Sequence, residues 1–171
     1  SPCLRSLVLT QLIDHAVDGD RDAAAESRRD DRLYADLVAL QREDGSWRRG
    51  DGAWRGHSHP LMLTCMALAR LGFLGFDATD AAVARGAEFL FTRQLSDGSW
   101  PLSTETDDAT DPLDDEGVTD TPLQTGFPLY ALASVGMAED ERAEGSYAWL
   151  LGQRLDDGAW PIITDSPDLI E

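Results

Sequence analysis

The amino-acid sequence predicts an all-α fold of about three antiparallel helical hairpins. Apolar residues recur at helical spacing, a Gln…Asp-Gly…Trp pattern returns three times, and no stretch sustains the alternation of a half-buried strand. At 171 residues and 42% hydrophobic content the chain is long enough for one cored domain, read as a single helical-repeat domain over 1–171.

The helices are expected at about 4–17, 30–42, 60–71, 80–94, 122–135 and 139–153. Leu33, Leu37 and Leu40 follow i, i+4, i+7, as do Val83, Ala87 and Leu90, and Ala143, Tyr147 and Leu150. Pro60 and Pro122 suit a first helical position, where the missing N–H has no partner. Ala67–Gly72 parallels Ala131–Gly136, each ending in a glycine able to turn left-handed past a helix end. Helices 60–71 and 122–135 carry almost no charge apart from Arg70 and should lie inside. The other three repeat helices have charged faces and should form an outer layer.

The hairpins are punctuated by Gln41 to Trp47, Gln94 to Trp100 and Gln153 to Trp160, with glutamines 53 and 59 residues apart, a period typical of repeat architectures. Asp51–Trp54 is a partial echo. Between Trp100 and Thr121 lies an acidic insertion loop, 103–120.

Fourteen basic residues against 32 acidic ones give a formal charge of −18, which disfavours nucleic acid or an anionic membrane as partner. The basic residues are all Arg; Lys and Asn are absent. This excludes a P-loop, a lysine Schiff base and N-glycosylation. No apolar run reaches the ~20 residues needed to cross a bilayer, and the expected location is cytoplasmic. Cys3 and Cys65 make no disulfide framework.

Arg85–Gln94 closing with Gly98-Ser99-Trp100 resembles the QW repeat of squalene and other class II terpene cyclases. Gly145, Trp149-Leu150, Gln153 and Gly158-Ala159-Trp160 give a second copy, and Tyr34, Gln41, Gly45 and Trp47 a third. The run Leu123–Leu132 resembles an inner helix of those enzymes. The resemblance covers roughly 30–164 and implies an α/α-toroid, of which three hairpins make about half. It also implies that Gln41, Gln94 and Gln153 cap neighbouring helix N-termini, with Trp47, Trp100 and Trp160 packed against them. Half a ring exposes the apolar flanks of its inner helices, so a homodimer or a second half-toroid subunit is expected to complete a cavity.

Within that resemblance, Asp120 stands just before an inner helix, where class II cyclases place a DxDD general acid. Such an acid must be held protonated before it can protonate an alkene or epoxide. Aligned on the following Thr, Asp120 takes the last position of that motif and Thr119 the middle one. His57 is a second acid–base candidate, in the His57-Ser58-His59 cluster. Asp107-Asp108-Ala109-Thr110-Asp111 resembles the DDxxD string that holds Mg²⁺ in class I terpene synthases, which makes Asp107, Asp108 and Asp111 candidate metal ligands. No other cofactor is expected. Trp54, Phe127, Tyr130 and Gln124 are candidate substrate contacts. With Phe73 and Phe76, the aromatic members are expected to line the inner ends, where aromatic faces stabilise cationic intermediates. The expected function is terpene cyclase-like, cyclisation or isomerisation of an isoprenoid or other hydrophobic small molecule. The alternative is a non-catalytic binding or scaffold subunit that keeps the fold.

Overall fold

A computed structural model describes residues 1–13, 18–48, 60–100 and 122–161. Among them are seven α-helices: α1 (Pro2–Leu7), α2 (Asp18–Glu26), α3 (Arg32–Val38), α4 (Pro60–Phe73), α5 (Ala81–Thr92), α6 (Pro122–Ser134) and α7 (Glu141–Gly152). A π-helical turn, Val8–Leu12, extends α1, and a 3₁₀ turn, Ser27–Asp30, follows α2. The all-α expectation holds, with one isolated bridge, Gln41 to Trp47, closing the first turn.

The sequence expectation misses α2. Its residues include Ala23-Ala24-Ala25, strong helix formers, but only Ala24 is buried to 2% exposure. Local propensity makes this helix, without an apolar stripe to announce it. The expected helix 4–17 also ends earlier, at an extended Ile13.

Helices α4 and α6 pack on one another, with α5 against α4 and α7 against α6, so the two-layer expectation holds for these four helices. Leu68, Leu71, Leu90 and Leu132 are fully enclosed between the layers. Both inner helices begin at the expected prolines. Gly136 takes the expected left-handed conformation (φ 78°). Gly72 does not: it lies inside α4, and a Cβ there would stand 2.1 Å from the Ser134 carbonyl oxygen. A close approach of the two inner helices, and not a turn, requires that glycine.

Each outer helix starts on an aspartate. Asp31 accepts from the Leu33 N–H, Asp80 from those of Ala82 and Val83, and Asp140 from that of Arg142. Such caps are each worth about 1 kcal/mol. Asp31 also accepts from the Cys3 N–H and the Ser1 hydroxyl, so one carboxylate ties the beginnings of α1 and α3.

The turns after the outer helices share one construction. The indole N–H of Trp47 donates to the Leu37 carbonyl (2.8 Å), that of Trp100 to Leu90 (2.7 Å) and that of Trp160 to Leu150 (2.9 Å). Trp47 and Trp100 also donate their backbone N–H to Thr64 and Thr125 of the following inner helix, each at 3.1 Å. Their glycines press on the next outer helix. A Cβ on Gly45 would lie 2.3 Å from the Arg85 carbonyl oxygen, and one on Gly98 2.5 Å from the Gly145 carbonyl carbon.

Gln41 and Gln94 do reach the next outer helix, but not as caps of its N–H groups, which the aspartates already satisfy. The Gln41 amide N–H donates to the Gly45 and Ala82 carbonyls (3.1 and 2.9 Å), and its oxygen accepts from Arg85. Gln94 donates to the Arg142 carbonyl (2.9 Å) and the Ser146 hydroxyl (2.7 Å). The third copy departs further. Gln153 is one residue out of register, seven before its Trp instead of six, and Arg154 occupies the glutamine position. Its Nε donates to the Gly158 carbonyl at 3.1 Å, the bond that Gln41 makes to Gly45. Trp160, expected to pack against a neighbour, is 43% exposed, whereas Trp47 and Trp100 are buried.

Replacing Trp100 with Ala is expected to cost about 3–5 kcal/mol, and replacing Trp160 under about 1 kcal/mol, read from urea unfolding. A second expectation concerns pH. The backbone N–H and hydroxyl of Ser99 hold the Asp97 carboxyl below its usual pKa. A depressed carboxyl pKa contributes stability that is complete above the unfolded value of ~3.9 and is lost as pH falls through the folded value. Asp97→Asn should therefore melt lower than the wild type at pH 7, with the gap closing below about pH 4 in thermal melts.

Candidate functional site

The inner helices are apolar nearly all round, yet each leaves one stripe exposed. On α4 it is Met66, Arg70 and Phe73; on α6 it is Leu123, Phe127 and Tyr130, both at i, i+4, i+7. Phe73 and Tyr130 line one groove, so the two stripes face the same side. That groove has a volume of about 620 Å³, in the range of small-molecule sites. Leu33, Leu37 and Leu40 form its outer wall, Ala69, Phe73 and Leu74 its floor, and Asp36 and Arg70 are its charged members.

Of the residues the sequence reading offers as substrate contacts, Phe127 and Tyr130 are exposed on α6, at 37% and 65%, and Tyr130 lines the groove. Gln124 is half-buried, one turn before Pro128, a proline inside α6 that has no N–H for an intrahelical bond. Phe73 is on the same face. Phe76 is not: it is buried, stacked on Tyr34 with ring centres 4.3 Å apart and covered by the Arg28 guanidinium. It follows Gly75, whose φ of 84° turns the chain away from α4 and aims the ring back into the core. Trp54, His57, Asp107, Asp108, Asp111 and Asp120 lie outside the described residues.

Sequence reasoning missed Met66 and Arg70 on the α4 stripe. The signal was present, since residues 66, 70 and 73 repeat the spacing of 123, 127 and 130, but the apolar character of the whole helix concealed which side faces outward. Among the described residues no three His, Cys, Asp or Glu side chains converge as a metal site. The groove can hold an extended hydrocarbon and offers two aromatic rings to a developing cation. No helix among these residues is long and apolar enough to cross a membrane.

Both thiols are buried away from this face. Burial pushes Cys65 up to about 12; burial, with Asp31 nearby, pushes Cys3 up to about 11. Neither belongs to the reactive class of exposed, low-pKa cysteines.

Two packed helical layers, Gln–Trp turns between them and an apolar inner face define an all-α protein of toroid-like, repeat architecture. The chain belongs to the family of the squalene-hopene cyclase C-terminal domain, whose family model matches residues 11–164. It is 30% identical over 124 residues to the squalene–hopene cyclase of Zymomonas mobilis subsp. mobilis. That match covers 72% of this chain and 18% of the relative, so the chain spans under a fifth of the enzyme it resembles.

Cys3 and Cys65 are expected to resist alkylation by a maleimide in the native protein at pH 7 and to react fully once the chain is unfolded, as counted by intact-mass spectrometry.

Proposed function

We propose that the protein acts on an isoprenoid or similar hydrophobic small molecule held along the exposed stripes of α4 and α6, in a cavity completed by a second subunit. The observation that carries this reading is the largely apolar groove where Phe73 of the α4 stripe and Tyr130 of the α6 stripe meet Leu33, Leu37 and Leu40, in a chain of the squalene-hopene cyclase family. A soluble protein leaves so large an apolar face exposed where something covers or fills it.

The proposed reaction is a cyclisation or isomerisation begun by proton transfer. Asp120, two residues before the start of α6, is the proposed acid, with His57 as a second acid–base group. The acid must hold its proton until an alkene or epoxide lies within reach, and a water-excluding apolar pocket favours that neutral form. Once the substrate is protonated, Phe73 and Tyr130 would face the positive charge with their rings, and the groove would keep water from trapping the cation prematurely. Asp107, Asp108 and Asp111 are the proposed ligands should Mg²⁺ take part; their carboxylates suit a hard cation. The second subunit is proposed as a further half-toroid or a second copy.

Thr119 at the middle motif position favours a second reading, a binding or scaffold subunit that retains the fold without the acid. Incubation with linear polyprenes, with products read by gas chromatography and mass spectrometry, separates the two. Catalysis predicts a cyclic or isomerised product that falls at least about 100-fold in Asp120→Asn, the scale of a lost general acid. Retained substrate with no product supports binding alone, and neither product nor retained polyprene refutes both readings.

A further inference from the structure

The two inner helices share a register, because Thr64 and Thr125 take the same bond from a tryptophan backbone N–H. On that register Leu68, Leu71 and Leu74 of α4 match Leu129, Leu132 and Val135 of α6, and all six are buried. Arg70 breaks the correspondence. It is exposed, whereas its counterpart, Ala131, is fully enclosed. The outer helices differ in the same sense. Leu37 and Leu90 accept equivalent indole bonds, but Leu37 is only half-buried and Leu90 is fully enclosed. The groove between α3 and α4 is thus the open counterpart of a region that the second repeat closes, with a guanidinium where that region has a methyl group.

That guanidinium is uncommitted. Among the described residues the Arg70 side chain has no hydrogen bond, ion pair or ring contact. Asp36, the other charged group lining the groove, is held by Arg32 on its own helix at 3.2 Å. The remaining lining is Leu, Ala and Phe side chains and Tyr130. An occupant made only of hydrocarbon would strip water from Arg70 and give it no acceptor in return, which leaves an uncompensated charge. Arg70 also stands one helical turn before Phe73, a ring proposed above to face a substrate cation. An unneutralised guanidinium there would repel that cation. An anion resolves both conflicts, and the planar fork of five N–H donors fits the paired oxygens of a phosphate or carboxylate.

We propose that the groove takes an anionic amphiphile, with its hydrocarbon tail against Leu33, Leu37, Phe73 and Tyr130 and its phosphate or carboxylate head on Arg70. The proposal rests on the hydrophobic-ligand reading of the preceding section and narrows it. The isoprenoid held here ends in an acid, and an uncharged one is the poorer ligand. Arg70 sets that preference by binding the head; it takes no part in proton transfer.

The test is isothermal titration calorimetry on the whole 171-residue protein, below the micelle concentration of each ligand. The probes share one tail: farnesyl monophosphate, farnesoic acid and farnesol. Both anions are expected to bind at least about tenfold more tightly than the alcohol, the scale of a charge-assisted hydrogen bond. Arg70→Gln is expected to bring the anions down to the level of farnesol and to leave farnesol unchanged. Arg70→Lys should keep part of the preference, since it retains the charge without the fork. Tyr130→Ala should weaken all three, because it trims the wall against the shared tail. Thermal melts matching the wild type verify that each variant is folded. Anions that bind no better than farnesol, or a preference that survives Arg70→Gln, overturn the proposal and leave the hydrophobic-ligand reading standing through farnesol. Binding indifferent to Tyr130→Ala places the tail elsewhere and also overturns it. No binding by any of the three refutes both.

Discussion

An indole N–H bonded to the carbonyl ten residues before it is the contact from which the repeat architecture is built. It terminates the outer helix, folds the following turn back onto it and buries the largest side chain in the protein beside the next inner helix. Thr64 and Thr125 then take the tryptophan backbone N–H, so the same residue fixes where the inner helix begins. The turn glycine completes the arrangement by letting the next outer helix approach to backbone contact. Three consecutive elements are positioned by one side chain and its neighbours, without a sheet or a disulfide among the described residues.

Most of this was legible in the sequence, for identifiable reasons. Helix α4 announces itself by Pro60 and an uninterrupted apolar run, α5 by its Val83, Ala87, Leu90 stripe, and the turns by Asp-Gly followed by Trp. What was not legible depends on geometry between segments. Nothing local says that Gly72 serves a helix crossing while Gly75, three residues on, makes the turn. Nothing local says that the glutamine amide meets a carbonyl when aspartates have already taken the N–H groups. The shift from Gln153 to Arg154 is present as a count, seven residues to the Trp in place of six, but the neighbouring glutamine masks it. Helix α2 was invisible to periodicity because it buries almost nothing.

The candidate site was legible to a lesser degree. Phe127 and Tyr130 share a face because they and Leu123 follow helical spacing, which a sequence shows directly. That α4 contributes a matching stripe, and that α3 and the turn after it close the groove with Leu33, Leu37 and Leu40, follows from how the layers pack. A side chain such as Phe76, aromatic and near the end of an inner helix, ends in the core once a left-handed glycine reverses the chain before it.

The turn glycines carry a consequence for how the fold tolerates change. At Gly45 and Gly98 the backbone has a positive φ, and the space a side chain would need is filled by the backbone of the next outer helix, 2.3 Å and 2.5 Å away. A substitution there strains its own turn and wedges two hairpins apart at once, so adjacent repeats cannot drift independently.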